Sequence, residues 1–124
     1  MDIKLYIICG LPGSGKTTFG RHLMQQGVVS YVAQADDFFG IGDKYQFDPT
    51  KLKEAHDWCY NNVVNLLKDN YRVAVCNTFS RRWERQRYLD LPYPKVVIKM
   101  LGEYPNIHGV PPETIQRMKE RWED

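Results

Sequence analysis

The sequence predicts a three-layer α/β domain with a mainly parallel sheet of about four strands. Two observations carry that expectation. Short apolar runs of strand length alternate along the chain with stretches of helical periodicity, which implies parallel pairing through crossovers. The runs are also nearly continuous rather than alternating, as in strands covered on both faces. The chain has 124 residues, 43% of them hydrophobic and 26% charged. That suits one globular domain over residues 1–124. No apolar run reaches the ~18 residues of a membrane span, so no membrane partner is expected. The start, Met1-Asp2-Ile3-Lys4, lacks a basic segment leading into a long apolar stretch, so no secretory signal is expected. Three widely separated cysteines, Cys9, Cys59 and Cys76, read as small buried hydrophobes in a reducing, cytoplasmic setting. The net charge of +2 is too mild to establish nucleic-acid binding by itself.

The elements follow in order. Residues 3–9 form an apolar run that ends in glycine, the first expected strand. Residues 16–26 carry Phe19 and Leu23 on one stripe, with Gly27 as a stop, and predict a helix. Residues 28–33 predict a second strand, and Gly40 and Gly42 a loop. Asp48-Pro49 is a helix-start signal, because Asp caps free amides and Pro fits the first turn. The helix after it shows Leu52, Ala55, Cys59, Val63, Leu66 and Leu67 at 3.6-type spacing, running to about Asn70. Residues 72–76 predict a third strand, 82–89 a short charged helix, 95–101 a fourth strand, and 111–123 a helix with Ile115, Met118 and Trp122 on one face.

The octapeptide Gly10-Leu11-Pro12-Gly13-Ser14-Gly15-Lys16-Thr17 fits G-x-x-x-x-G-K-[ST], the Walker A pattern, after a strand and opening a helix. Gly10, Gly13 and Gly15 are expected to allow backbone angles closed to other residues. The loop amides and the positive end of the helix dipole then surround a phosphate. Lys16 adds a mobile cation and Thr17 a hydroxyl for Mg²⁺. Gly10, Gly13, Ser14, Gly15, Lys16, Thr17 and Thr18 are the candidate ATP-binding residues, although Thr18 is better explained by packing or helix capping. The fold class sharpens to a P-loop NTPase or kinase, leaving open a phosphoryl-transfer enzyme or a nucleotide-binding switch.

Asp36 and Asp37 follow the second strand, and ligands of open α/β sheets sit at the carboxyl ends of strands. A carboxylate there can accept a proton from an attacking hydroxyl or orient the Mg²⁺ shell. Successive residues leaving a strand diverge, so one of the two is expected to reach the reacting group. Asp36 is assigned as base and metal contact; Asp37 aids substrate or metal water, or pairs with a basic side chain. After the third strand, Arg81, Arg82 and Arg85 share a helix face. Cations at a helix N-terminus oppose its dipole, which suggests an anionic partner. Arg81 and Arg85 are therefore candidate catalytic cations, while Arg82, Asn77 and Thr78 are candidate substrate contacts. Cys76 stands where nucleotide-hydrolysing P-loop proteins carry an Asp, which leaves the metal to Thr17 and Asp36.

The octapeptide, Asp36-Asp37-Phe38-Phe39, Tyr45-Gln46-Phe47-Asp48-Pro49-Thr50-Lys51-Leu52 with Ala55-His56-Asp57-Trp58, and Asn106-Ile107-His108-Gly109-Val110-Pro111 with Arg117-Met118 together resemble the phage-type polynucleotide 5′-hydroxyl kinase family and its cellular relatives. The resemblance implies transfer of the γ-phosphoryl of ATP to the 5′-OH of DNA or RNA. It maps the family's general base onto Asp36 and its P-loop lysine and hydroxyl onto Lys16 and Thr17. Three departures stand out. Cys76-Asn77-Thr78-Phe79 replaces an Asp-led run. Phe38-Phe39 stands where the phage enzyme has an arginine, as in the cellular relatives. The connection Gly102-Glu103-Tyr104-Pro105-Asn106 is too short for the family's lid, so Pro105 takes the lid arginine's place. Arg81, Arg82, Arg85 or Arg117 are the candidates to supply the missing charge. The alternatives are a kinase for a nucleoside, nucleotide or modified base, and a non-catalytic ATP-binding module that needs a partner.

His56 is expected to pack or to touch substrate, His108 to order a loop or meet phosphate, and His22 to be solvated. Trp58 and Trp122 are expected in the core, while Trp83, among arginines, is a candidate base-stacking surface. Phe38, Phe39 and Tyr45 are candidates for a substrate wall.

Overall fold

The computed structural model describes residues 2–102 and 110–124. Four strands, β1 (Leu5–Cys9), β2 (Tyr31–Ala33), β3 (Val73–Asn77) and β4 (Lys95–Lys99), form one sheet in the order β2-β3-β1-β4, every pairing parallel. Helix α1 (Lys16–Gln25) joins β1 to β2, α2 (Leu52–Lys68) joins β2 to β3, and α3 (Arg82–Leu89) joins β3 to β4. Helix α4 (Pro112–Glu120) follows β4. Among the described residues no helix is long and apolar enough to cross a membrane.

The strand order dictates the layers. The chain steps across β3 from β1 to β2, then reverses direction. Crossovers of one hand put helices on opposite faces when the direction reverses. Accordingly, α1 covers one face and α2 and α3 the other. Leu5, Ile7, Cys9, Val73 and Val75 face α2 and α3, and pack with Cys59, Val63, Leu67 and Tyr88. Ile8, Ala74 and Cys76 face α1, against Phe19 and Leu23. The period-2 alternation of a strand thus sorts one apolar run into two cores.

Most expected elements are present, and the differences have local causes. The second strand is shorter than residues 28–33, because Val28 and Val29 donate back to the Leu23 carbonyl at the end of α1. Gly27, at φ 75°, supplies the left-handed turn there. Asp48 does cap, accepting from the Thr50 amide at 2.9 Å, but the turn it caps is a 3₁₀ turn over Pro49–Lys51. The α-helix itself begins at Leu52. All three cysteines are buried. Trp122 is half-buried against the main core, whereas Trp58 is 42% exposed, against expectation, with its ring 5.9 Å from Phe38.

Candidate functional site

At the carboxyl ends of the strands lies a cavity of about 1060 Å³. Its floor is the turn from β1 into α1. Gly13 and Gly15 hold φ 80° and 92°, the left-handed region that glycine enters without strain. Gly15 also serves as the N-cap of α1, so no side chain caps that helix, and its first turn carries no acidic residue. The leading amides of α1 are therefore free for an anion. Gly10 is needed for a different reason than expected. Its φ is ordinary, but a Cβ there would collide with Ser14 Oγ and come within 2.9 Å of the Met100 carbonyl. Gly10 and Ser14 build the inside of the turn. Ser14 is buried, its amide donates to the Leu11 carbonyl at 3.0 Å, and its hydroxyl has no partner among the described residues.

Lys16 and Thr17 line the cavity with Thr18. The Lys16 ammonium donates to the Gly10 and Leu11 carbonyls, both at 2.9 Å. Burial lowers its pKa, with Asp36 and Cys76 pulling the other way. Thr17 Oγ1 donates to Gln34 Oε1 at 2.7 Å, and Gln34 Nε2 donates to Asp37 Oδ1 at 2.9 Å. This relay turns the hydroxyl hydrogen toward Gln34 and leaves the oxygen lone pairs for a cation. It also assigns Asp37 its place: Asp37 is tied to Gln34 and is absent from the cavity wall, while Asp36 lines it. The divergence of the two carboxylates is as expected, although they leave β2 through a 3₁₀ turn, Ala35–Phe39. Sequence reasoning missed Gln34; its position between β2 and the acid pair was the available signal.

The Asp36 carboxylate accepts from the Tyr45 hydroxyl, and burial with that contact pushes the phenol up to about 12. Tyr45 therefore keeps its proton at any physiological pH and stays a hydrogen-bond donor to Asp36. Phe39, Phe47, Leu52 and His56 complete this end of the cavity, and ring contacts join Phe39 to Tyr45 and Phe47. Phe38 instead packs against the main core. His56 is held below the ordinary imidazole value by burial, against the pull of Glu84 and Asp36. Cys76 also reaches the cavity, but burial pushes its thiol to about 12, opposed by Lys16, so it is no nucleophile.

Three expectations, those for Arg81, Arg82 and Arg85, are corrected by this geometry. Asn77 lines the cavity with Thr78, and although buried it also braces the protein. Its Oδ1 accepts from the Ala35 amide at 2.9 Å and its Nδ2 faces Cys59 Sγ at 3.8 Å. It positions the turn that carries Asp36. Arg81, Arg82 and Arg85 do not line the cavity. The anionic partner anticipated for the N-terminus of α3 is the protein itself. Glu84 accepts from the Arg81 amide and Glu123 from the Arg82 amide, each at 3.0 Å. Arg82 Nε donates to the Asp124 carbonyl at 2.9 Å, and the buried Arg85 to that of Glu123. Thr78 does line the cavity. Arg117 donates to Thr114 Oγ1 along α4. Trp83 is 74% exposed, and His22 is exposed at the cavity rim. His108 and the short connection before it lie outside the described residues.

Among the described residues no cluster of three or more His, Cys, Asp or Glu is placed to hold a metal ion. The donors present, the Thr17 hydroxyl and the Asp36 carboxylate, are hard oxygens. They fit Mg²⁺ when phosphate oxygens and waters supply the remaining positions.

A glycine-walled anion cradle with a lysine and a hydroxyl, opposite a carboxylate at the next strand end, defines a P-loop kinase-like domain. The sequence profile of the AAA domain family matches residues 5–97, and the chain belongs to that family. NEDD4-binding protein 2 of Homo sapiens is 33% identical over 138 residues that take in 99% of this chain. The chain spans only 8% of the length of that relative. Two solved structures of the Pnkp1/Rnl/Hen1 complex, the second described as an RNA repair complex, share the fold. One has a TM-score of 0.65 and 24% identity over 93% of this chain and 38% of the other. The second has a TM-score of 0.69 and 19% identity over 96% and 43%. Shikimate kinase from Acinetobacter baumannii superposes with a TM-score of 0.52 at 17% identity, over 96% of this chain and 63% of that one.

Proposed function

We propose that this chain, acting as one domain over residues 1–124, transfers the γ-phosphoryl of ATP to a hydroxyl, with the 5′-OH of DNA or RNA as acceptor. The observation that carries the reading is the meeting of Lys16, Thr17 and Asp36 in one cavity. The amides of Gly13, Gly15 and Lys16 and the Lys16 ammonium hold the phosphates, with Lys16 leaving the Gly10 and Leu11 carbonyls to do so. Thr17 and Asp36 would hold Mg²⁺, which neutralises charge on the phosphates. Asp36, steadied by Tyr45, accepts the proton of the attacking alcohol. The cavity matches the upper end of the roughly 300–1,000 Å³ of ordinary small-ligand clefts, which is consistent with room for a nucleotide and part of an acceptor. The aromatic end formed by Phe39, Tyr45 and Phe47 suits the face of a terminal nucleobase. The likeness to proteins of an RNA repair complex and the resemblance in the residues around Asp36 support a polynucleotide acceptor.

The test is transfer of labelled phosphate from ATP to a 5′-hydroxyl oligonucleotide, with nucleosides and nucleotides as competing acceptors. Wild type is expected to label the oligonucleotide. Asp36→Asn is expected to lower kcat by roughly 10²–10⁴, the usual worth of a general base, while still binding ATP. Transfer only to small acceptors would replace the polynucleotide reading, and ATP binding without any transfer would leave a nucleotide-binding module.

A further inference from the structure

The cavity has a second wall, built by α4. Thr114, Met118 and Arg121 lie on it, at spacings of four and three that place them on one helix face. Arg121 is the one arginine on the cavity lining among the described residues. Its side chain is exposed and has no hydrogen bond or ion pair with a described residue. Arg82, Arg85, Arg87 and Arg117 all donate to protein acceptors instead. The side chain of Glu84, the acid nearest in sequence on that rim, is engaged by the Ser80 hydroxyl and the Arg81 amide.

The three residues after Arg121 are each tied to the body of the domain. The Glu123 amide donates to the Ser80 carbonyl at 2.7 Å. Lys99 Nζ donates to Asp124 Oδ1 at 2.8 Å and lies 4.7 Å from the Trp122 ring centre. Arg82 and Arg85 hold the carbonyls of Asp124 and Glu123. Exposed segments are ordered only where contacts tie them down. These contacts fix the backbone of Arg121 beside a cradle for polyanions and leave its guanidinium unspent. Such preorganisation lowers the cost of meeting a ligand.

The geometry points to Arg121 as the guanidinium that meets a phosphate across the cavity from Lys16. This rests on the phosphoryl-transfer reading. The phosphate is either the group in transfer or the first phosphodiester of the acceptor, and a planar fork of donors recognises both alike.

The experiment compares wild type, Arg121→Ala and Arg121→Lys, with ATP, Mg²⁺ and a 5′-hydroxyl oligonucleotide. Calorimetric binding of ATP and of the oligonucleotide runs in parallel, and thermal midpoints check folding. If Arg121 faces the transferring group, Arg121→Ala lowers kcat by roughly 10³-fold or more, with KM for the oligonucleotide little changed. If it faces the acceptor's phosphodiester, KM for the oligonucleotide rises roughly 10- to 100-fold, and the salt slope of binding falls by about one. In both cases Arg121→Lys falls between, keeping the charge and losing the fork. Arg121→Ala equal to wild type in kinetics and in binding overturns the inference. Should wild type transfer nothing, the phosphoryl-transfer reading fails separately. Arg121 is then judged on binding alone: weaker binding by Arg121→Ala supports it, and unchanged binding overturns it.

Discussion

Asn77 shows how a polar residue on the cavity lining can also brace the site from within. Its carbonyl oxygen receives the Ala35 amide, 42 positions away in the chain. That bond fixes the turn whose next residue is Asp36. Truncating the amide leaves a buried N–H without a partner, which costs about 1–3 kcal/mol. Asn77→Ala is therefore expected to lower the unfolding free energy by that amount, read as a lower urea midpoint, and to slow phosphoryl transfer through a misplaced Asp36, with ATP affinity retained. A wild-type midpoint in the variant would show that the turn holds itself. Position and residue type marked Asn77 as a residue of the functional edge. They carried no trace of Ala35, because hydrogen-bond partners of high sequence separation leave no local pattern. The same holds for Gln34, whose amide joins Thr17 to Asp37.

At the scale of elements, α1 matters because it delivers Lys16 and Thr17 to the cavity, and its seat is Gly20. A Cβ there would come within 2.9 Å of Cys76 Sγ and 3.1 Å of Val32 Cγ1. The helix lies that close to the sheet only because nothing stands between them. Gly20→Ala is expected to destabilise by about 1–3 kcal/mol, the usual cost of overpacking, despite alanine's better helix propensity. Thermal or denaturant unfolding checks this, and a stabilised variant would contradict the close seating. The charged helix α3 matches its expected span of residues 82–89, since capping and breaker signals are local. The target of its arginines was not local. Two of the three cations, Arg82 and Arg85, are taken up by the carbonyls of Asp124 and Glu123, some 40 positions on, and the Glu123 carboxylate takes the Arg82 amide.

For the whole molecule, the parallel sheet and the helices on both faces converge on a single cavity, and His56 sits at one of its walls. Burial keeps its folded pKa below the ordinary 6.5. The unfolded chain then binds more protons than the folded one as pH falls through about 6.5, so stability rises with pH in that window and is lost on acidification. The thermal midpoint is expected to drop between about pH 7.5 and pH 5.5. His56→Gln should flatten part of that slope, and an unchanged slope would show that His56 charges freely in the folded protein.

The order of strands and helices, the anion cradle and the acid pair were legible in the chain itself, because backbone turns, helix starts and apolar periodicity depend on neighbours a few residues apart. The tertiary structure alone decided that Gln34, itself bonded to Thr17, ties Asp37 away from the cavity, that Asn77 braces the Asp36 turn, that Arg82 and Arg85 hold residues 123–124, and that Arg121 stands at the cavity wall without a partner among the described residues. Each of those outcomes turns on residues brought together from distant parts of the chain, and only packing of the folded layers sets which of several chemically equivalent partners comes within reach.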